Sequence, residues 1–165
     1  MPGDALGATA LPRTKIKPPL YTPEQRKRRD ETVWTMVQGI LAPIQFLACA
    51  ISIGLVLYYL YTGDGYLAAT VSIIVKTGLL YTIMVTGAIW EKVVFDQYLL
   101  APGFFWEDMV SFAVIAIHTA YLWALWAGID PTTQMYIALT AYVLYIINAA
   151  QFIWKLRVAR LEGRA

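Results

Sequence analysis

The stretch WTMVQGILAPIQFLACAISIGLVLYYL, residues 34–60, is predominantly apolar and contains no charged side chain. A helix needs about 20 apolar residues to cross the hydrocarbon core of a bilayer, and this stretch is longer than that. Lipid offers no hydrogen-bond partner to backbone groups, so such a segment must be helical when it spans a membrane. The stretch therefore predicts a transmembrane helix.

Three further apolar runs follow along the chain, at residues 67–90, 106–127 and 132–154. The chain has 165 residues, of which 59% are hydrophobic, and its mean hydropathy is +0.55. Soluble domains are about half apolar, so this composition favours the bilayer as the solvent. The predicted fold class is all-α, an integral membrane four-helix bundle whose domain covers residues 21–160.

Basic residues are concentrated at the two ends of the chain. Seven of the 13 Lys and Arg residues lie before residue 34 and four lie after residue 154, whereas the short connections around Asp64 and Asp130 contain none. Lys and Arg are enriched in cytosolic segments, so the N and C termini are both predicted to be cytosolic. Residues 1–20 and 161–165 are interpreted as tails, the first of them flexible.

A helix-start signal precedes the first run. Thr22 is a candidate N-cap, Pro23 suits the first helical position, and Gln25 can complete a capping box. The basic residues at 26–29 then lie at the membrane surface. They indicate an electrostatic anchor to anionic lipid rather than a nucleic-acid site, because an apolar span follows at once.

Three polar side chains are predicted at the depth of the bilayer centre: Gln45, Lys76 and His118. An ionisable group at this depth costs at least a few kcal/mol, so it is a functional candidate, and the three could meet inside the bundle. The alternative for Lys76 is a structural bond to Gln45 or to a carbonyl freed at Pro43. The alternative for His118 is a neutral imidazole bonded across helices.

Two polar stripes follow helical spacing. They comprise Gln38, Gln45 and Ser52 in the first span and Tyr145, Asn148 and Gln151 in the fourth. Such stripes are more often interhelical hydrogen-bond seams than catalytic sets, and they mark the faces that look inward.

The connection between the second and third spans concentrates acidic side chains. Glu91, Asp96, Glu107 and Asp108 occur with only Lys92 close in sequence. If the connection folds beneath the bundle, the four carboxyl groups approach one another, and desolvation raises at least one pKa, as a general acid at neutral pH requires. The alternative is ordinary solvated charge at the membrane interface.

The stretch TGAIWEKVVFDQYLLAPGFFWEDMVS, residues 86–111, resembles the signature region of the vinyl bacteriochlorophyllide hydratases, small membrane enzymes of bacteriochlorophyll synthesis. Four other segments are similar to that family: YTPEQRKRRDETVW at 21–34, QGILAPIQF at 38–46, HTAYL at 118–122 and INAAQF at 147–152. The resemblance therefore extends over about residues 21–160.

The resemblance implies that water adds across the vinyl group of bacteriochlorophyllide or chlorophyllide to give a 1-hydroxyethyl group. It implies no cofactor, because magnesium is carried by the substrate, and it implies the inner membrane, cytoplasmic or intracytoplasmic, of a phototrophic bacterium. The implied partners are this substrate, membrane lipid, and other enzymes of the synthesis or a second copy of the chain, without nucleic acid.

The residues themselves suggest the roles. The catalytic candidates are Glu91, Glu107, Asp108 and Asp96. The substrate-binding candidates are His118, Lys76, Gln45, Asn148 and Gln151, with His118 as an axial ligand to the substrate magnesium.

Distance along the third span limits this picture. Glu107 and His118 are separated by about 16 Å at 1.5 Å per residue, so one macrocycle reaches both only if it stands along the membrane normal. The competing function is a non-enzymatic pigment-binding assembly factor or an accessory subunit of a photosynthetic complex, in which His118 ligates the pigment permanently.

Overall fold

The computed structural model describes residues 18–163, and every regular element within that range is a helix. The five helices are α1 Pro23–Glu31, α2 Val33–Thr62, α3 Tyr66–Phe95, α4 Phe105–Trp126 and α5 Pro131–Glu162. Helices α2 to α5 are long and apolar enough to cross a membrane. The all-α fold with four candidate membrane spans is thus confirmed, whereas the cytosolic position of the termini stays a prediction. Most of the two predicted tails lies outside the described residues.

The capping box at the start of α1 is confirmed. The Gln25 amide donates to Thr22 Oγ1 at 3.2 Å, and the Thr22 amide donates to the Gln25 side chain at 3.0 Å. A break that the sequence analysis did not predict follows at Thr32, whose extended backbone ends α1 and caps α2. Thr32 Oγ1 accepts the Trp34 amide at 3.3 Å. The basic helix α1 is therefore separate from the first span.

The long helices form two antiparallel hairpins, α2 with α3 and α4 with α5, because the connections within each hairpin are short. Gly63 and Gly65 turn the first hairpin with φ angles of 80° and 83°, a left-handed region that favours glycine. The second hairpin restarts at Asp130, whose carboxylate accepts the Thr133 amide at 2.9 Å. Contacts of α2 with α5 and of α3 with α4 join the hairpins.

The polar stripe of α2 forms a hydrogen-bond seam, as its spacing indicated. Gln38 donates to Thr86 Oγ1 of α3 at 2.7 Å. Ser52 Oγ lies 2.7 Å from Ser72 Oγ of α3 and 2.6 Å from Tyr142 Oη of α5. Interhelical hydrogen bonds of this kind contribute about 0.6 kcal/mol each in a membrane. The stripe therefore faces α3 in the same hairpin and α5 in the other hairpin.

An apolar core lies between the four long helices, with Val56, Ile73, Val114 and Met135 contributed by one helix each and all fully buried. Large apolar side chains also cover the outside of the bundle. The exposed ones include Leu47, Val85, Trp126 and Ile146. An outer surface of this composition fits contact with lipid rather than water.

Helices α2 and α4 begin, and helices α3 and α5 end, at the same end of the bundle. We call this the terminal end. The segment before α1 packs there: the Tyr21 ring stacks on Phe95 with 5.7 Å between centroids and also contacts Phe104. Burial raises the pKa of Tyr21 to about 12, so the phenol is neutral at physiological pH. The Leu20 amide donates to Glu162 at 3.2 Å, which fixes this segment to the end of α5.

Candidate active site

Three of the four predicted acidic residues come together at the terminal end. Glu91 belongs to the last part of α3, and Glu107 and Asp108 lie in the first turn of α4. Their exposed fractions are 5%, 6% and 3%, so all three are buried. The connection between α3 and α4 therefore does fold beneath the bundle, as the sequence analysis expected.

The prediction that Asp96 approaches these three is wrong. Asp96 ends α3 with a φ of 63°, and its side chain is 73% exposed. It accepts a hydrogen bond from Arg28 of α1 at 2.6 Å, and this bond holds the pKa of Asp96 below its usual value. The left-handed backbone at this position turns the chain, so the carboxylate faces α1 and solvent rather than the buried acids.

The carboxyl groups of Glu91 and Asp108 are neighbours, because the amides of two consecutive loop residues bind them. The Ala101 amide donates to Glu91 Oε2 at 3.3 Å, and the Leu100 amide donates to Asp108 Oδ2 at 2.7 Å. Two neighbouring buried carboxyl groups repel each other when both are ionised, so such a pair is suited to sharing one proton.

Backbone strain accompanies this arrangement. Leu100 has a φ of 60°, in the left-handed region that residues with a side chain rarely adopt. This conformation costs about 1–2 kcal/mol and presents the Leu100 amide to Asp108. Nothing in the sequence indicated a left-handed leucine, because glycine is the usual residue there.

Glu107 has a cationic partner, which the sequence analysis did not single out. Lys155 of α5 donates to Glu107 Oε2 at 2.8 Å and also to the Gly103 carbonyl. A signal was present, because Lys155 continues the stripe of Asn148 and Gln151 at helical spacing. The charge of Glu107 is balanced, in contrast to the charge of the Glu91–Asp108 pair.

Asn148 and Gln151 lie beside these residues. Asn148 donates to the Glu107 carbonyl at 2.8 Å, and its amide nitrogen is 3.5 Å from Gln151 Oε1. The Ser111 hydroxyl is 3.0 Å from Asn148 Oδ1. These contacts attach the first turn of α4 to α5 and so fix the backbone that carries Glu107 and Asp108.

Lys76 and Gln45 meet inside the bundle, in the structural bond that the sequence analysis gave as the alternative for Lys76. Lys76 Nζ donates to Gln45 Oε1 at 2.5 Å and lies 3.7 Å from the centre of the Tyr145 ring. Both polar side chains are fully buried. A desolvated cation over an aromatic ring contributes about 2 kcal/mol of stabilisation. The two contacts of Lys76 link α3 to α2 through Gln45 and α3 to α5 through Tyr145.

His118 is fully buried on α4, and its Nδ1 lies 2.8 Å from the Val114 carbonyl. A carbonyl only accepts, so Nδ1 carries the proton and Nε2 keeps a lone pair. Nε2 has no hydrogen-bond partner within the part of the chain that the structure describes. A neutral imidazole whose tautomer is fixed by one nitrogen, here Nδ1, and whose other nitrogen keeps a free lone pair is the form that binds metals.

Residues 21–158 match the family model described as 2-vinyl bacteriochlorophyllide hydratase. The chain belongs to this family. It is 71% identical over 146 residues to a 2-vinyl bacteriochlorophyllide hydratase of Cereibacter sphaeroides, covering 88% of this chain and 91% of the relative. It is 65% identical over 152 residues to the one of Rhodobacter capsulatus, covering 92% and 89%. No solved structure matches the chain.

Both groups of candidate residues lie within the part of the chain that matches the 2-vinyl bacteriochlorophyllide hydratase family. It favours the hydratase over the pigment-binding assembly factor that the sequence analysis left open. The two groups are far apart, because ten residues of α4 between Asp108 and His118 correspond to about 15 Å. The acidic group and the mid-height group are therefore separate candidate positions for chemistry.

Proposed function

We propose that this chain hydrates the vinyl group of a bacteriochlorophyllide or chlorophyllide and that the Glu91–Asp108 pair transfers the protons. Membership of the 2-vinyl bacteriochlorophyllide hydratase family supports the reaction. The observation that carries the site is the pair of buried carboxyl groups bound by the consecutive amides of Leu100 and Ala101. The enzyme class is a hydro-lyase of bacteriochlorophyll synthesis.

The reaction needs an acid and a base close together. The acid gives a proton to the terminal CH₂ of the vinyl group, which forms the new C–H bond and leaves a cation on the inner carbon, stabilised by the conjugated macrocycle. Water then forms the C–O bond to that carbon, and a carboxylate accepts the proton that water releases. The pair ends with one proton, as it began, and no electrons are transferred, so the chemistry calls for no redox cofactor.

We assign Glu91 as the acid and Asp108 as the base. Asp108 accepts the shorter amide bond, 2.7 Å from Leu100, whereas the bond from Ala101 to Glu91 measures 3.3 Å. A close amide donor stabilises an ionised carboxylate more than a protonated carboxyl group. The shared proton therefore belongs on Glu91.

Glu107 and Lys155 lie beside this pair. The Lys155 ammonium forms an ion pair with the Glu107 carboxylate at 2.8 Å. Asn148 and Ser111 hold the first turn of α4, which fixes the direction of Asp108. Asn148 and Gln151 are thus positioning residues in this proposal, close to the substrate rather than at mid-height.

The membrane setting suits the substrate. A planar and largely apolar macrocycle partitions into lipid, and the basic tails support a terminal end that faces the cytosol. We therefore assign the protein to the inner or intracytoplasmic membrane of a phototrophic bacterium, with the reaction near the cytosolic surface, where water is available.

His118 stays a predicted magnesium ligand, with Lys76 and Gln45 as predicted contacts at the same height. The free Nε2 suits the axial position of the substrate magnesium. It lies about 15 Å from the carboxyl pair along α4, so a macrocycle ligated there does not lie flat at the acids. We place the reaction at the terminal end because the movable proton is there.

Incubation of the purified protein with a vinyl bacteriochlorophyllide in D₂O tests the proposed function. We expect the absorption band to shift to the blue as the vinyl conjugation is lost, and the product to contain one deuterium in its new methyl group. Glu91→Gln keeps the shape of the side chain and removes the transferable proton, so it should stop both changes. Product formation by Glu91→Gln at the wild-type rate would exclude the pair as the acid.

A further inference from the structure

A groove of about 570 Å³ opens at the terminal end, next to the acidic residues. Its walls come from the segment before α1, the end of α3, the loop before α4 and the last turns of α5. The apolar lining includes Leu20, Phe95, Pro102, Trp154 and Val158. Binding sites for small molecules have volumes of about 300–1,000 Å³ and mostly apolar walls, and this groove has both properties.

Among the residues that the structure describes, one cation lies in the wall of the groove. Lys155 Nζ uses one N–H for Glu107 and one for the Gly103 carbonyl, and an ammonium has three. The side chain is partly exposed, so its third N–H can reach a ligand. The acidic residue in the wall, Glu162, already accepts the Leu20 amide at 3.2 Å. Within residues 18–163, the groove therefore combines an apolar surface with one donor suited to a carboxylate.

We propose that this groove binds the substrate macrocycle and that Lys155 binds the free carboxylate of the substrate. The identity of the ligand rests on the proposed function. A bacteriochlorophyllide is a planar apolar ring whose propionate is not esterified, so its shape fits the apolar walls and its charge complements Lys155. The exposed indole of Trp154 and the ring of Phe95 supply flat surfaces for the macrocycle.

The loop before α4 connects this groove to the carboxyl pair. Pro102 and Gly103 line the groove, while the amides of Leu100 and Ala101, just before them, donate to Asp108 and Glu91. A macrocycle in the groove rests against the backbone that positions the catalytic groups. Lys155 bonds to Glu107 and to this same loop, so the carboxylate of the ligand is recognised next to the acids.

The test compares two ligands in the full-length protein. A chlorophyllide whose vinyl group is reduced to ethyl cannot be hydrated, so binding is measured without turnover, and its methyl ester lacks the carboxylate. We expect the wild-type protein to bind the acid about tenfold more tightly than the ester, as one charge-assisted hydrogen bond predicts. Lys155→Met with Glu107→Gln removes both charges and leaves no unpaired buried carboxylate, and it should lose the preference.

A matched control is Arg157→Met, which removes an exposed positive charge from the same helix and should keep the tenfold preference. Equal affinity of the wild-type protein for acid and ester, or a preference that survives in the Lys155 variant, would overturn the role of Lys155. Loss of the preference in Arg157→Met would overturn it as well, because general surface charge would then explain it.

Val158→Trp tests the groove itself, because the larger side chain fills part of the volume. We expect it to weaken the binding of acid and ester alike by at least tenfold. Unchanged affinities would exclude the macrocycle from the groove. Hydration of the vinyl pigment is assayed separately. If hydration fails while the groove variants behave as expected, the result counts against the proposed function and not against this binding site.

Discussion

Glu91 at the end of α3 and Asp108 at the start of α4 bring two buried carboxyl groups to the same loop. The loop between the two helices donates one backbone amide to each carboxyl group, so the pair is held from the backbone. Acid and base are therefore positioned before any substrate binds, which is the condition for efficient general acid catalysis.

Glu91→Gln should reduce the rate of hydration by about 10² to 10⁴, because the loss of general acid catalysis has that effect. Affinity for the pigment should persist, since the amide retains the shape and the bond to Ala101. Single-turnover rates and equilibrium binding, measured on the same preparation, separate the two effects. Asp108→Asn should behave similarly, and wild-type rates in both variants would move the proton transfer elsewhere.

The left-handed backbone at Leu100 gives a test of stability. Glycine adopts a φ of 60° without strain and alanine does not, so Leu100→Gly should be more stable than Leu100→Ala by about 1 kcal/mol. Both variants lose the leucine side chain, which makes them a matched pair. Thermal unfolding in detergent measures the difference, and a more stable alanine variant would show that the strain at this position is absent.

Much of the fold follows from the sequence because its signals are local. The uncharged run at 34–60, the capping residue and proline that begin α1 and α5, and the glycines at 63 and 65 each specify structure through a few neighbouring residues. The break at Thr32 was missed although threonine is a good N-cap. The apolar pattern continues directly after it and suggested a single helix.

The acidic site depended on contacts that a pattern does not contain. The sequence placed Glu91, Glu107 and Asp108 on one connection, but only tertiary packing decides that Asp96 pairs with Arg28 instead. The contact of Lys155 with Glu107 joins residues 48 positions apart. A helical stripe predicted the face of α5 and could not specify its partner.

Asp96→Asn tests whether the fourth acid takes part in the chemistry. Its carboxylate is exposed and paired with Arg28, so we expect hydration to remain within twofold of wild type. The pKa of Asp96 is lower in the folded protein than in the unfolded chain. The ion pair therefore stabilises fully above about pH 4 and loses its effect as the pH falls through the folded pKa.

Thermal midpoints should accordingly differ between wild type and Asp96→Asn by a constant amount from about pH 5 to pH 8, and the difference should shrink below about pH 4. The salt dependence provides a control, because an exposed pair is screened by added salt. A difference that grows on acidification would contradict the assignment of the ion pair to this residue.

Lys76→Met should destabilise the protein by about 1–3 kcal/mol, because it leaves the Gln45 amide buried without its partner. Combining it with Gln45→Leu removes both polar groups and should recover most of the stability. Unfolding of the single and double variants in detergent provides the measurement. A loss of pigment affinity in the stable double variant would identify Lys76 as a substrate contact, as the sequence analysis predicted.

His118→Phe decides between the two positions for the macrocycle. The phenyl ring fills the volume of the imidazole and removes the buried nitrogen that lacks a partner within the described residues, so stability should be unchanged or higher. With the reaction at the carboxyl pair, hydration and affinity should both remain within a few-fold of wild type. If affinity falls at least tenfold while the protein stays folded, His118 ligates the magnesium and the macrocycle binds at mid-height. The proton must then come from a group other than Glu91, because the Glu91–Asp108 pair lies about 15 Å or more from His118.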